Sequence, residues 1–95
     1  MFIIDLTYKV HLNQINQYLE DHIQYLEHQY ELGNFQTSGK KVPRTGGIIL
    51  STLADKNKIM ACLEKDPFKI HDLADYTITE FIPSKTNEDF KFLLK

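Results

Sequence analysis

Four side chains in this sequence have the chemistry to act on a small molecule: His22, Asp66, Arg44 and Ser38. His22 stands at the centre of EDHIQYLEH, residues 20–28. Ile15, Leu19, His22 and Leu26 recur at helical spacing and share one stripe, on which the histidine is the only polar member. By default such a histidine is a core or boundary residue with one satisfied hydrogen bond. Its imidazole also titrates near neutral pH and serves as either acid or base. To do so it needs a carboxylate or carbonyl on its second ring nitrogen. Asp66, in KDPF, is the candidate partner, and Asp5 and Asp75 compete with it. The structural role open to Asp66 is that of a turn starter, its carboxylate bonding the local backbone N–H groups ahead of proline.

Arg44 follows Pro43 in a turn-rich stretch and has the fork geometry that holds a carboxylate or phosphate at two points. On composition alone it reads as an exposed loop charge. Ser38 is positioned to line a pocket; with no activating base near it in sequence, it is not expected to be a nucleophile. The other histidines, His11, His28 and His71, share no i, i+4 pairing with His22 or each other, and no cysteine pair exists, so no metal site is expected. Gly46 and Gly47 open a strand rather than a helix, which argues against a nucleotide-binding loop. Cys62 lies among apolar neighbours and reads as a small core residue.

These side chains need a scaffold. FIIDLTYKV, residues 2–10, alternates apolar and polar types and predicts a half-buried strand. A helix capped by Asn13 is expected to run to about Leu32, with Gly33 as its stop. Strand-like runs at about 35–40 and 47–53 bracket KKVPRTG and predict a hairpin. Asp55 caps a second helix, about 56–65, which Asp66–Pro67 ends because the residue before proline is steered away from helical geometry. ADYTITEFI, 74–82, predicts the last strand. NEDFKFLLK then reads as a short amphipathic helix or an extended arm. The domain expected is 1–83, with a tail over 84–95.

The order β-α-β-β-α-β is the ferredoxin-like pattern of the α+β class: a four-stranded antiparallel sheet with two helices on one face. The helices are expected to cover Ile4, Leu6, Ile48, Leu50, Tyr76 and Ile78. The opposite face would carry Ile3, Asp5, Thr7, Ile49, Ser51, Leu53, Thr77, Thr79 and Phe81. That mixed face is best covered by the same face of a second copy, giving a homodimer; the plainer alternative is a solvated face with scattered apolar residues.

Composition narrows the partners. Of 95 residues 11 are basic and 13 acidic, intermixed, for a net charge of -2, so no basic block tracks a nucleic-acid backbone. The apolar run at the N-terminus is broken by Asp5 and lacks a basic flank, so neither a signal peptide nor a membrane anchor is expected. A single cysteine allows no internal disulfide; with no leader expected, a cytoplasmic setting is expected.

Taken in order, several features resemble the YciI-like (YCII-related) family of the dimeric α/β-barrel superfamily. They are HIQYL on the first helix, Gly33, the strand with Ser38–Gly39, the glycine-led GGIIL, the DPF of Asp66 to Phe68, and ADYTITEFIP. The resemblance covers about residues 2–83. It implies a ferredoxin-like fold, a homodimer built through the sheets and an active site centred on a His–Asp pair, carried over by position to His22 and Asp66. Related branches include muconolactone isomerase and dehydrochlorinase enzymes, which move protons on small ring-derived acids. Two departures bear on substrate: Leu19, Glu20 and Asp21 stand where family members often carry an arginine before the histidine, and Lys40 stands where many have proline. The expectation is therefore a cofactor-independent isomerase, lyase or hydrolase, with His22 as general acid/base, Asp66 fixing its tautomer, and Arg44 and Ser38 meeting a small organic acid. The alternative is a non-catalytic small-molecule-binding dimer.

Overall fold

A computed structural model of the chain describes residues 1–94; Lys95, the last residue of the expected tail, lies outside them. The elements run β1 (Phe2–Tyr8), α1 (Leu12–Glu31), β2 (Thr37–Lys40), β3 (Gly46–Ser51), α2 (Lys56–Leu63), α3 (Pro67–Ile70), β4 (Ala74–Glu80) and a 3-10 segment, Glu88–Leu93. The sheet has the order β2-β3-β1-β4, antiparallel throughout. This is the expected α+β ferredoxin-like architecture, with one addition: Asp66–Pro67 not only closes off α2 but also opens the short helix α3.

Helix α1 begins two residues earlier than Asn13 would cap it. His11 is its N-cap residue and makes no side-chain capping bond; its carbonyl accepts from Gln14 and Ile15. Asn13 sits inside the first turn and is exposed, because extended backbone at His11 already turns the chain into the helix. The far end stops at glycine as expected. Gly33 has φ +76, its N–H reaches the Tyr30 carbonyl, and the Asn34 N–H reaches back to Gln29. That pair of bonds satisfies carbonyls the helix would otherwise leave open. Asp55 caps α2 through Asn57 N–H at 2.8 Å.

The sheet's two faces differ from expectation in one strand. Ile4 pairs with Ile49 and Ile78, Leu6 with Gly47 and Tyr76, and Phe2 with Ser51. Ile49 and Ser51 therefore join the helix-covered face, where both are buried, and Ile48 and Leu50 face outward with Ile3, Asp5, Thr7, Thr77 and Thr79. Three successive apolar residues, Ile48 to Leu50, carry no alternation, and a strand shifted by one residue exchanges all its faces. The phase is set by groups outside that run. Ser51 Oγ donates to the Asn34 carbonyl at 2.6 Å, and Gly46 packs so closely on β1 that a Cβ there would lie 1.8 Å from the Leu6 carbonyl oxygen. Leu53 and Phe81 lie beyond the ends of β3 and β4 and belong to neither face; Leu53 packs against the core.

The core between sheet and helices centres on Phe2, Ile4, Leu6, Ile15, Ile59, Leu63 and Phe68. Beyond β4, a reciprocal pair of bonds joins Met1 and Phe81, and the chain then runs extended into the 3-10 segment, which buries none of its residues.

Candidate functional site

The site is built around a buried acid. Asp66 is 0% exposed and caps α3: its Oδ1 accepts from the Phe68 N–H at 3.0 Å, and Pro67 occupies the first helical position, where no donor is needed. The turn-starter role and the partner role are thus filled by one carboxylate. The same Oδ1 lies 2.7 Å from His22 Nδ1. Oδ2 accepts the Tyr76 hydroxyl at 2.6 Å. Three donors from α1, α3 and β4 surround a carboxylate that water does not reach, which meets the requirement that a buried charge be bonded on all sides.

His22 comes to this point on the third turn of α1. Of the expected stripe, Ile15 and His22 are buried, while Leu19 and Leu26 are half-buried. Tyr25 and Gln29 take their place in the interior. The imidazole lies flat against Phe68, with centroids 4.0 Å apart and planes 7° from parallel. Aspartate, proline and phenylalanine of DPF therefore each act on the histidine: one bonds it, one sets the turn and one stacks on it. With Nδ1 turned to Asp66, Nε2 is the nitrogen left for anything entering from outside.

Leu19 and Leu26 are half-exposed because a cleft of about 430 Å³ opens between α1 and the β2–β3 side of the sheet. His22 and Phe68 line it from the helical layer, and Ser38, Lys40, Gly47 and Ile49 from the strands. Gly47 leaves room there, since it projects no side chain from the helix-covered face opposite Leu6. Arg44 also lines the cleft, and its guanidinium donates to Asn16 Oδ1 on α1 at 2.8 Å. Ser38 Oγ is hydrogen-bonded to the Tyr30 hydroxyl. No carboxylate is among the lining residues, and two cations are, so the cleft is electrostatically suited to an anion.

All four residues singled out from sequence thus converge: His22, Arg44 and Ser38 on the cleft, Asp66 directly behind His22. The competing acids do not. Asp5 lies on the outer sheet face, 2.5 Å from Lys41 Nζ in an ion contact without hydrogen-bond geometry. Asp75 is exposed and lies 3.6 Å from Lys9. Phe68 and Tyr76 were given no role at the site, and Lys40 was noted only as a departure from the family pattern. Lys40 carried a signal as a charge two residues beyond Ser38 on one strand, and hence on its face; Tyr76 carried none beyond an apolar-face position.

Two phenols nearby are perturbed. Burial, followed by the charge of Asp66, pushes both Tyr25 and Tyr76 far above the ordinary phenol range. Tyr25 spends its hydroxyl on the Cys62 carbonyl at 2.7 Å. Cys62 itself is half-buried, and burial raises its thiol, consistent with a core role. His71 stacks on Tyr18, and among the described residues no group of three or more metal-ligating side chains converges. No helix among them is long and apolar enough to cross a membrane.

A family model for the YCII-related domain matches residues 1–82. No curated protein sequence matches the chain. Among solved structures, 5-chloro-2-hydroxyhydroquinone dehydrochlorinase (TftG) from Burkholderia phenoliruptrix AC1100, in complex with 2,5-dihydroxybenzoquinone, is similar with a TM-score of 0.72. The match spans 84% of this chain and 91% of that one at 18% identity, a likeness of fold.

Proposed function

This chain belongs to the YCII-related family, and from that premise we propose that it is a cofactor-independent enzyme acting on a small organic acid by proton transfer, with His22 as general acid/base. One observation carries the reading: the imidazole lines a cleft of about 430 Å³ while its Nδ1 is held 2.7 Å from a wholly buried carboxylate. Asp66 fixes the proton on Nδ1, leaving Nε2 as the group that takes a proton from a bound molecule and returns it. Isomerisation, elimination and hydrolysis are the reaction types such a centre serves without a cofactor. Arg44 and Lys40 neutralise the acid group of the substrate, and Leu19, Leu26 and Phe68 enclose its apolar body. To grip the substrate, Arg44 can keep one N–H on Asn16 and turn its remaining donors inward. Ser38, paired with Tyr30, is a substrate-binding hydroxyl rather than a nucleophile.

The structural neighbour's name supports the class of chemistry. A dehydrochlorinase removes a proton and chloride from its substrate, and the bound dihydroxybenzoquinone is a small, flat, acidic ring of the kind this cleft would admit. In a purely binding role His22 would be a buried boundary residue with no route to solvent; the imidazole is largely buried yet lines the cleft, so turnover by a His22 variant separates the two readings. Screening small ring-derived acids for turnover, then comparing His22→Gln, tests the proposal. General acid/base groups contribute about 10²–10⁴-fold, and a loss of that size is expected. Undiminished turnover by the variant would sink it.

A further inference from the structure

We propose that Tyr76 is a positioning residue for the His22–Asp66 pair, its hydroxyl drawing off part of the Asp66 charge and so setting how strongly the imidazole holds a proton. The inference deepens the general acid/base reading of His22 and rests on it for its catalytic meaning.

The Asp66 carboxylate has no solvent contact, so its negative charge is spread only over its donors. One is the Phe68 backbone N–H, fixed by the turn into α3. One is His22, which changes charge during the reaction proposed. The third is Tyr76 O–H, at 2.6 Å on the other oxygen; among the described residues it is the one side-chain donor that does not itself take part. Its phenol is kept protonated by burial and by the adjoining charge, so it remains a donor. The other groups facing the pair do not substitute for it. Tyr25 on α1 is bonded to the Cys62 carbonyl, and the Cys62 thiol of α2 is met by Asn34. Tyr8 of β1 packs edge-on to Phe68, and Lys69 of α3 places its ammonium 5.2 Å from the Tyr76 ring centroid. Arg44 and Lys40 stand across the cleft.

A buried carboxylate that loses one donor concentrates charge on those remaining. With the hydroxyl gone, Asp66 would bind the imidazolium more tightly, and His22 would give up its proton less readily. The prediction has a sign that a purely structural tyrosine would not produce.

The test is an NMR titration of the His22 ring in the intact protein and in Tyr76→Phe, which keeps the ring and its packing. The titration midpoint of His22 is expected to rise by about half to one pH unit, a fraction of the roughly 1–3 units by which a neighbouring opposite charge moves a titrating group. The Nδ1 proton resonance is expected to move downfield with it. Should the variant not fold, uniform 3-fluorotyrosine labelling serves instead. It strengthens each phenol as a donor with little change of shape, and is expected to move the His22 midpoint down. With a substrate in hand, Tyr76→Phe is expected to lower kcat about three- to tenfold below the midpoint with KM little changed, since the neutral fraction falls in proportion. A His22 midpoint and Nδ1 resonance unmoved in the folded variant, or in the fluorinated protein, overturns the proposal. This readout needs no substrate. An unmoved midpoint beside an inactive His22→Gln removes Tyr76 alone, and a shifted midpoint beside an active His22→Gln removes the enzyme reading alone.

Discussion

At the scale of single residues, Asp66 ties the local fold to the site, because one side chain caps a helix, meets the histidine and accepts a phenol. Asp66→Asn removes the charge while keeping the size, and its amide must turn an N–H toward one of three donors. The loss of a hydrogen bond to a buried charged group costs about 1–3 kcal/mol, and a drop of that order in urea unfolding free energy is expected. The His22 titration midpoint is expected to fall in that variant, opposite to Tyr76→Phe, since the imidazolium loses its counter-charge. Alkaline behaviour follows from the two phenols. Tyr25 and Tyr76 have folded-state values raised above the ordinary 10.0, so above that pH the unfolded chain releases their protons first. Their contribution is complete below pH 10.0 and is lost as pH climbs beyond it, so stability falls with pH there. Absorbance of tyrosinate should show Tyr25 and Tyr76 ionising only together with loss of the helical circular dichroism signal. His22 and Asp66 were each visible in sequence, as a polar residue on an apolar stripe and as an Asp–Pro turn, but their pairing was not: Asp5 and Asp75 stayed open as partners, and the family resemblance pointed to Asp66. Tyr76 was not, since alternation along a strand gives a face and says nothing of where a hydroxyl ends.

At the scale of elements, the hairpin of β2 and β3 decides the shape of the cleft, and glycines decide the hairpin. Gly46 sits against the backbone of Leu6, where even a methyl group would overlap the carbonyl oxygen at 1.8 Å. The atoms it would meet, in Leu6 and Thr7, are all backbone, which leaves nothing flexible to yield. Gly46→Ala is expected to destabilise by about 1–3 kcal/mol or more, the cost of overpacking, and to lower the melting temperature by several degrees on calorimetry. An unchanged melting temperature would mean the strands separate there without cost. Lys41, next to Gly46 in the ladder, reaches Thr7 at 3.0 Å and Asp5 on the outer face. Element types and order could be read from sequence because periodicity and caps such as Asp55 and Gly33 are local. The phase of β3 could not, because Ile48, Ile49 and Leu50 are equally apolar, and the groups that fix it, Leu6 and Asn34, come from distant segments. The start of α1 was misplaced for a related reason: Asn13 has a good capping side chain, and the turn is made at His11 without one.

At the scale of the whole molecule, the helices and the cleft lie on one side of the sheet and leave the other uncovered. Ile3, Ile48 and Leu50 are half-buried on that side within a single chain, beside Thr77, Thr79 and the Asp5–Lys41 contact. Apolar residues on a twisted sheet gain most when a second sheet packs over them at about 10 Å. A face that also carries threonines and an ion pair has hydrogen-bonding groups to align two copies. We therefore propose a homodimer through this face, and Leu50 is the residue on which to test it. It sits between Ile3 and Thr37 in the ladder, outside the residues that line the cleft. Leu50→Glu would place a charge in the interface of each protomer, related by the twofold axis. An unpaired buried charge costs several kcal/mol, and each 1.4 kcal/mol is about a tenfold change in the dissociation constant, so a weakening of at least about 100-fold is expected. Sedimentation velocity across a concentration series should show a dimer for the native chain and a monomer for the variant. The sheet itself separates Leu50 from His22, so the His22 titration should be the same in both. A native chain that sediments as a monomer, or a variant that remains dimeric, would rule out this face as the interface while leaving the acid/base pair untouched.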